Sequence, residues 1–382
     1  MSNVTQLLKQ LIAIPSVNPL DADEPKWTHE GRICNFIKDW AEAKGLSIEW
    51  LEFTAGRPNL LVTLGPESAN KSLMIEVHTD TVSVANMSVD PFEALEKDGR
   101  IYGRGACDNK GPMATLMACI DNELITQVEN SDLQLRLAFT MGEEKGLLGA
   151  YELVAHGYTA DKTVVLEPTG LAPVIAHKGC LTFEVKFNGI AGHASAPEKG
   201  LNAIEAAGHF MQRVRADEKE FAVTFSDEWK PSTSFGIIKG GSGSNIIPDE
   251  CSLTVDRRYL ASENIKEVIH SYEKILTELV AAAKLSSYTI IEQGEALNFF
   301  EEDEQSELVQ QLQESIHKFI GERKPYGTGW CSDAVPFSTA SKNVVVWGPG
   351  DIAQAHTKDE FIEITQLSLG ESILKDFIIS QI

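Results

Sequence analysis

The sequence lacks any long apolar run. No stretch of about 18 consecutive apolar residues occurs in its 382 residues, so no membrane-spanning helix is expected. Positive charge is also scarce: 33 Lys and Arg stand against 56 Asp and Glu, a formal net charge of -23. Such a chain repels phosphate backbones and anionic lipid, which disfavours nucleic acid and membranes as partners. Cysteine is sparse and scattered. Cys34, Cys107, Cys119, Cys180, Cys251 and Cys331 form no C-x-x-C pair and no tight framework, the usage expected of reduced thiols in a cytoplasm. The start, MSNVTQLLKQLIAIPSVNP, has one lysine and an amphipathic pattern where a signal peptide would have a continuous apolar core. A G-x-S-x-G nucleophile elbow and a Walker A loop are both missing. His29-Glu30 is followed by Ile33 where H-E-x-x-H needs a second histidine. Gly103-Arg104-Gly105 lacks the third glycine of a dinucleotide loop.

What is present reads as a soluble globular chain, with 43% hydrophobic and 23% charged residues. Single cores stop growing at about 250–300 residues, so two domains are expected. Val4, Leu7, Leu8, Leu11 and Ile12 share one helical face, and Pro15 ends that helix. A second amphipathic helix covers 30–45. LSIEWLEF, NLLVTLG and SLMIEVHTD then read as strands, the last an apolar run ending in polar residues, the form of a central α/β strand with chemistry at its carboxyl end. Residues 110–127 read as one helix. LQLRLAFTMGEE and KTVVLEPTG repeat the form of an apolar strand running into carboxylates.

After Gly179 the character changes. LTFEVKFNG, STSFGIIKGG and CSLTVDRRYL alternate with period two, as half-exposed strands do, and helical patterns cover 201–216 and 262–284 before the strand SYTIIEQ. The order β-α-β-β-α-β suggests a ferredoxin-like inserted domain over 180–292. From 293 the α/β pattern returns, with a helix at 304–320, the strand NVVVWGPG and a closing helix at 362–379. A catalytic domain formed by 1–179 and 293–382, with a central mixed sheet, is therefore expected around the insertion.

The candidate chemical groups are His78, Asp80, Asp108, Glu143, Glu144, Glu167 and His356. Most end an apolar strand or lie in the loop after one, so sequence-distant strands would bring them to one sheet edge. Mixed nitrogen and oxygen donors suit zinc, with cobalt or manganese as substitutes. Taken singly, each has a plain structural reading: His78-Thr79-Asp80 as a bonded pair, Asp108 as a turn residue, Glu143-Glu144 as a solvated face. Adjacent carboxylates ending an apolar strand, however, repel unless positive charge lies near them.

SLMIEVHTDTV, GRGACDNKGPMA, TMGEEKGLLGA, VVLEPTG, GIAGHASAPEKGLNAIE and WGPGDIAQAHTKDEF, in this order and spacing, resemble the two-zinc metallohydrolases comprising acetylornithine deacetylase, succinyl-diaminopimelate desuccinylase, aminoacylase and related carboxypeptidases. The resemblance covers nearly the whole chain. FTAGRPNLL, EPTGLAPVIAHKG, SNII followed by Cys251, and GPGDIAQAHTKDE are most similar to the acetylornithine deacetylase branch. It implies that Asp108 bridges two metals, that His78 and Glu167 complete one site, and that Glu144 and His356 complete the other. It implies that Glu143 is the general base, acting on a water that the two metals share and acidify. Asp80 would bond the other nitrogen of His78 and fix its tautomer. A cis peptide is implied at Asp108–Asn109. His193 would stabilise the oxyanion from the inserted domain, either across a homodimer or after domain closure. Arg258 of VDRRYL would grip the substrate carboxylate, with Arg257 the choice if the alignment slips by one residue; strand alternation sends the two to opposite faces. Asn245 and Ser332 would lie near the same pocket. The implied activity is hydrolysis of an N-acyl amino acid, N-acetyl-ornithine first, in arginine biosynthesis. The alternatives are desuccinylase or small-peptide carboxypeptidase activity, and a non-catalytic metal-binding relative.

Overall fold

The computed structural model describes residues 3–21, 25–221, 229–293 and 296–382. The chain divides into two units. One comprises Met1–Ile175, Glu302–Tyr326 and Ser332–Ile382, and the other Ala176–Glu301 with Gly327–Cys331. The second unit thus begins and ends a little outside the 180–292 read from sequence. It also takes in the Trp330-Cys331 segment, while Ser332 belongs to the first.

The first unit is built on a mixed sheet. Apolar runs with little alternation make its inner strands, as burial on both faces requires. The strands lie in the order Ser47–Thr54, Arg57–Leu64, Leu133–Thr140, Lys71–His78, Lys162–Leu166 and Val344–Trp347. The last four run parallel to one another, and Arg57–Leu64 joins antiparallel. Parallel neighbours end on the same side, so His78, Thr140, Leu166 and Trp347 deliver their following loops to one edge. Helices cover the faces: Leu8, Leu11 and Ile12 of Asn3–Ile12 and Leu374, Phe377 and Ile378 of Ile364–Gln381 are fully buried in the shared core. The helix expected over 110–127 is two helices, Lys110–Cys119 and Asn122–Glu129. Asp121 causes the break, because its side chain caps the second helix by accepting from Leu124 N at 2.9 Å. Among the described residues, no helix is long and apolar enough to cross a membrane.

The second unit has the expected order of elements. Its strands pair antiparallel as Ser232–Gly240, Glu250–Tyr259, Gly179–Asn188 and Ser287–Glu292, and the helices Ala203–Phe221 and Ile265–Ala281 supply the second layer. Alternation on Gly179–Asn188 buries Leu181, Phe183, Val185 and Phe187 beneath these helices. Phe187 is fully buried and meets Phe210 edge-on at 5.7 Å. Truncating it leaves a cavity, so Phe187→Ala is expected to cost about 3–5 kcal/mol in urea denaturation followed by circular dichroism. A loss under about 1 kcal/mol would remove Phe187 from the core that holds this unit together.

Candidate metal centre

The shared edge of the parallel strands gathers His78, Asp108, Glu143, Glu144, Glu167 and His356, all within the first unit. Asp108 stands at the middle. Its Oδ1 lies 3.0 Å from His78 Nε2 and its Oδ2 lies 3.3 Å from His356 Nε2. Glu167 Oε1 is 3.7 Å from His78 Nε2, and Glu144 Oε2 is 3.0 Å from His356 Nε2. Ligand atoms of His78, Asp108 and Glu144 lie within 4.8 Å of one another, and so do those of His78, Glu143 and Glu167. The second of these groupings contains Glu143, which the sequence reading sets apart as a base. Its carboxylate receives no hydrogen bond among the described residues, whereas Glu144 contacts His356.

The turn that presents the two glutamates is held from behind. Gly142 has a φ of 73°, in the left-handed region that glycine adopts without strain. Asp80, 1% exposed, accepts from Glu143 N at 3.1 Å through Oδ1 and from Glu144 N at 3.3 Å through Oδ2. Asn18 Nδ2 adds a bond to Oδ2 at 2.7 Å. The expected bond from the Asp80 carboxylate to His78 is not the one formed. His78 Nδ1 is 3.0 Å from the main-chain oxygen of Asp80 and 3.6 Å from its Oδ1. A carbonyl oxygen only accepts, so Nδ1 carries a proton and Nε2 is the atom offered to the cluster. The Asp80 carboxylate instead anchors the glutamate turn. Asn59, fully buried, closes the same loop at its ends, accepting from Met141 N at 2.9 Å and donating to Gly149 O at 3.2 Å. Only glycine fits at 149, since a Cβ there would lie 2.4 Å from Asn59 Oδ1. The Asp108–Asn109 peptide is cis, and Asn109 Nδ2 donates to Leu166 O beside Glu167.

The charges do not balance within the cluster. Burial, followed by the charges of neighbouring carboxylates, pushes Glu143 and Glu167 well above the usual carboxylate range and Glu144 up to about 7. Burial would raise Asp108 too, but the bonds and charges of His356 and His78 hold it below that range. His356 is pushed up to about 10 by its bonds to Asp108 and Glu144. Burial disfavours the His78 imidazolium, yet its bond to Asp108, the adjacent Asp80 carboxylate and the charges of Glu167 and Glu143 carry it well above the ordinary value. Carboxylates that retain protons and imidazoles that attract them mark a site short of positive charge. The donor set, nitrogen and oxygen on rigid strand ends, fits divalent cations of the zinc type.

A second acid pair underlies the site. Glu76 and Asp333, both buried, flank Thr140 Oγ1 at 2.5 and 3.0 Å. One hydroxyl hydrogen cannot serve two carboxylates, so one acid is protonated. Burial, with the charge of Asp333, pushes Glu76 well above its usual range, which makes Glu76 the neutral partner. The sequence reading did not single out Glu76, Asn18 or Asn59, although Glu76 is the one acid inside the apolar run of SLMIEVH; it placed Asp333 only with Ser332 in a loop resembling a substrate-facing segment.

The remaining candidates lie elsewhere. Ser332 is fully buried, and its Oγ accepts from Ala334 N at 3.3 Å at the start of a short helix. In the second unit, His193 pairs with Ile246, and Ala194 N donates to Asn245 O at 3.0 Å, so His193 and Asn245 are neighbours. Ser195 N donates to His193 Nδ1 at 3.2 Å. A main-chain N–H only donates, so the neutral ring holds its proton on Nε2, on an exposed side chain. Arg258 is half-buried and bonds Asp256 at 2.8 and 3.2 Å, while Arg257 is 4% exposed and pairs with Glu263 on the opposite face.

The profile of peptidase family M20/M25/M40 matches residues 74–380. Acetylornithine deacetylase of Proteus mirabilis (strain HI4320) is 32% identical over 378 residues, spanning 94% of this chain and 92% of that protein. Among solved structures, a tripeptidase from Staphylococcus aureus superposes with a TM-score of 0.83 at 23% identity, covering 100% of this chain and 98% of that one. A Bacillus subtilis protein described as a dinuclear metal binding peptidase gives 0.73 at 13% identity, covering 99% and 97%. These two share the fold.

Protonated groups must release their protons before they can ligate a cation, so metal binding is expected to weaken as pH falls from about 8 to about 6. Zinc titrations in two buffers of different ionisation enthalpy should register the protons released. Binding that is indifferent to pH and releases none would exclude this cluster.

Proposed function

This chain belongs to peptidase family M20/M25/M40 and is an amide hydrolase; on that basis we propose that it removes the acyl group of a small N-acylated amino acid, N-acetyl-L-ornithine first, yielding acetate and ornithine for arginine biosynthesis. The observation that carries the hydrolytic reading is Glu143, a carboxylate of the metal-type cluster that receives no hydrogen bond among the described residues. The substrate reading rests on a relative of matching length named acetylornithine deacetylase.

Two zinc ions are the proposed cofactors, with cobalt or manganese as substitutes. His78, Asp108 and Glu167 would hold one, and Asp108, Glu144 and His356 the other. When bound, they supply polarisation of the amide carbonyl and a more acidic water. Glu143 takes a proton from the attacking water and delivers it to the departing amine, a transfer favoured by a carboxylate already raised by burial. Asp80 keeps Glu143 and Glu144 in register by holding both of their main-chain N–H groups. His193 donates from Nε2 to the developing oxyanion. Arg258 meets the substrate carboxylate with the edge of its guanidinium not taken by Asp256, and Asn245 lines the approach beside His193.

A homodimer is part of this reading. The strand Ser232–Gly240 is a sheet edge, and its Ile237 and Ile238 are 53% and 49% exposed. An apolar edge strand invites pairing with a second copy, which would bring a partner's second unit into play. The free state of all six cysteines supports a reducing compartment such as the cytoplasm. The second reading, small-peptide or succinyl-diaminopimelate hydrolysis, is favoured by the peptidase names of the fold neighbours. A non-catalytic relative is disfavoured because every ligand and Glu143 are present.

Initial rates on acetylornithine, succinyl-diaminopimelate and a dipeptide panel separate the substrates. Acetylornithine should turn over fastest; negligible turnover beside fast cleavage of another compound would reject it. Glu143→Ala should lower kcat by about 10²–10⁴-fold while metal is retained. Full activity in that variant would remove Glu143 as base. Sedimentation should give a dimer, shifted toward monomer by Ile238→Lys; a fully active monomer would contradict a role for His193 across subunits.

A further inference from the structure

Four residues beyond His356, the carboxylate of Glu360 is fully buried and reaches into the loop that carries Asp108. Its Oε1 accepts from Cys107 N at 2.8 Å and from Asp108 N at 3.0 Å. Its Oε2 accepts from Gly105 N at 3.1 Å and from Arg104 Nη1 at 2.7 Å. A carboxylate has about four lone-pair positions, and here each is filled by a donor from the loop 104–108. Main-chain contact backs the grip, since Gly103 N donates to Glu360 O at 3.1 Å. Arg104 is itself 3% exposed and anchored by Nε to Ser83 O at 3.0 Å.

We infer that Glu360 is a positioning residue for the metal centre: it clasps the main chain of Asp108 to the segment bearing His356, and so sets the spacing of the bridging carboxylate against both histidines. The inference rests on the reading of the cluster as a metal site. Its logic is geometric. Asp108 turns one oxygen toward each imidazole, at 3.0 and 3.3 Å. Such a two-sided contact tolerates little rotation of the Cys107–Asp108 peptide. Glu360 fixes that peptide from the His356 side, and Asn109 Nδ2, bonded to Leu166 O, fixes the next residue from the Glu167 side. Segments far apart in sequence are thereby held to one another through the main chain of Asp108, without Glu360 touching the cations or the substrate. Buried carboxylates can serve as simple braces for a loop, and the two roles differ in what they change. A brace affects folding, whereas a positioning residue affects the affinity and symmetry of the metal site in protein that is folded.

The isosteric variant Glu360→Gln separates them. An amide offers one accepting oxygen, so its NH₂ must face two of the four N–H donors without a bond for either. Zn²⁺ and Co²⁺ affinities are measured by competition with a chromophoric chelator, alongside the cobalt absorption bands, melting temperature of the metal-free protein, kcat and KM. In folded E360Q, metal affinity is expected to fall about 10–100-fold with altered cobalt bands, and kcat to fall while KM stays within about threefold. Glu360→Asp keeps charge and acceptor capacity one methylene short and should lie between E360Q and the parent chain. Unchanged affinity, bands and kcat with a lowered melting temperature would overturn the proposal and leave Glu360 a brace. Should E360Q fail to fold, E360D carries the test: weakened cobalt affinity is expected, and parental affinity and bands would overturn the inference. A parent chain that binds neither ion would instead sink the metal reading itself.

Discussion

Mutual repulsion among carboxylates is the constraint on which this molecule turns. Two unit charges about 4 Å apart interact by about 4 kcal/mol at an effective dielectric constant of about 20. A few such repulsions rival a net folding stability of about 5–15 kcal/mol. The cluster around Asp108 therefore cannot remain fully ionised by itself. The structure relieves it in two visible ways. Histidines stand against Asp108 on both sides, and Glu143, Glu144 and Glu167 keep raised proton affinities. The third relief is a divalent cation, and the donor set suits one. The same reasoning explains the neutral Glu76 beneath the site, where Asp333 lies too near for both acids to ionise.

The fold brings these groups together with little freedom. Parallel strands end on one side, and His78, Glu143, Glu144 and Glu167 arise at or just beyond such ends. Precision then comes from side chains that hold the main chain of the ligand-bearing segments. Asp80 serves the main chain of the two glutamates, Asn59 closes their loop, and Asn109 ties the Asp108 segment to the strand before Glu167. The buried polar side chains nearest the cluster are thus bonded chiefly to main chain, which fixes loops more firmly than side chain to side chain contacts would.

Much of this was legible before any coordinates. Apolar runs ending in His78, Glu144 and Glu167 identify parallel strands and their chemical edge, because period and polarity carry that information directly. Alternation also places Arg257 and Arg258 on opposite faces, where the structure has one buried against Glu263 and the other at Asp256. Other features escaped for physical reasons. The break between Lys110–Cys119 and Asn122–Glu129 depends on one capping side chain, Asp121, inside an otherwise helical pattern. His78 Nδ1 takes the main-chain carbonyl of Asp80 as partner, an atom every residue carries, so no residue type points to it. Ser332 and Asp333 are both buried, in a loop where no period signals that neighbouring polar side chains turn inward. Asn59 and Glu360 sit within quoted motifs, but Asn59 bonds the main chain of Met141 and Gly149, and Glu360 bonds three main-chain N–H groups beside Arg104; main-chain partners are not marked by residue type.

The split of the first unit has a consequence for biosynthesis. Domains tend to fold in the order in which they leave the ribosome. Met1–Ile175 emerges with His78, Asp108, Glu143, Glu144 and Glu167 already in hand, and then the whole second unit must be made before Ser332–Ile382 appears. Val344–Trp347, His356 and Glu360 all belong to that last stretch. The nascent protein therefore carries its acidic half-site throughout synthesis of the second unit without the strand, the imidazole or the clasp that completes it. Assembly of the centre waits on the last stretch of the first unit, and a chain cut anywhere in it before His356 keeps the whole second unit yet is chemically incomplete.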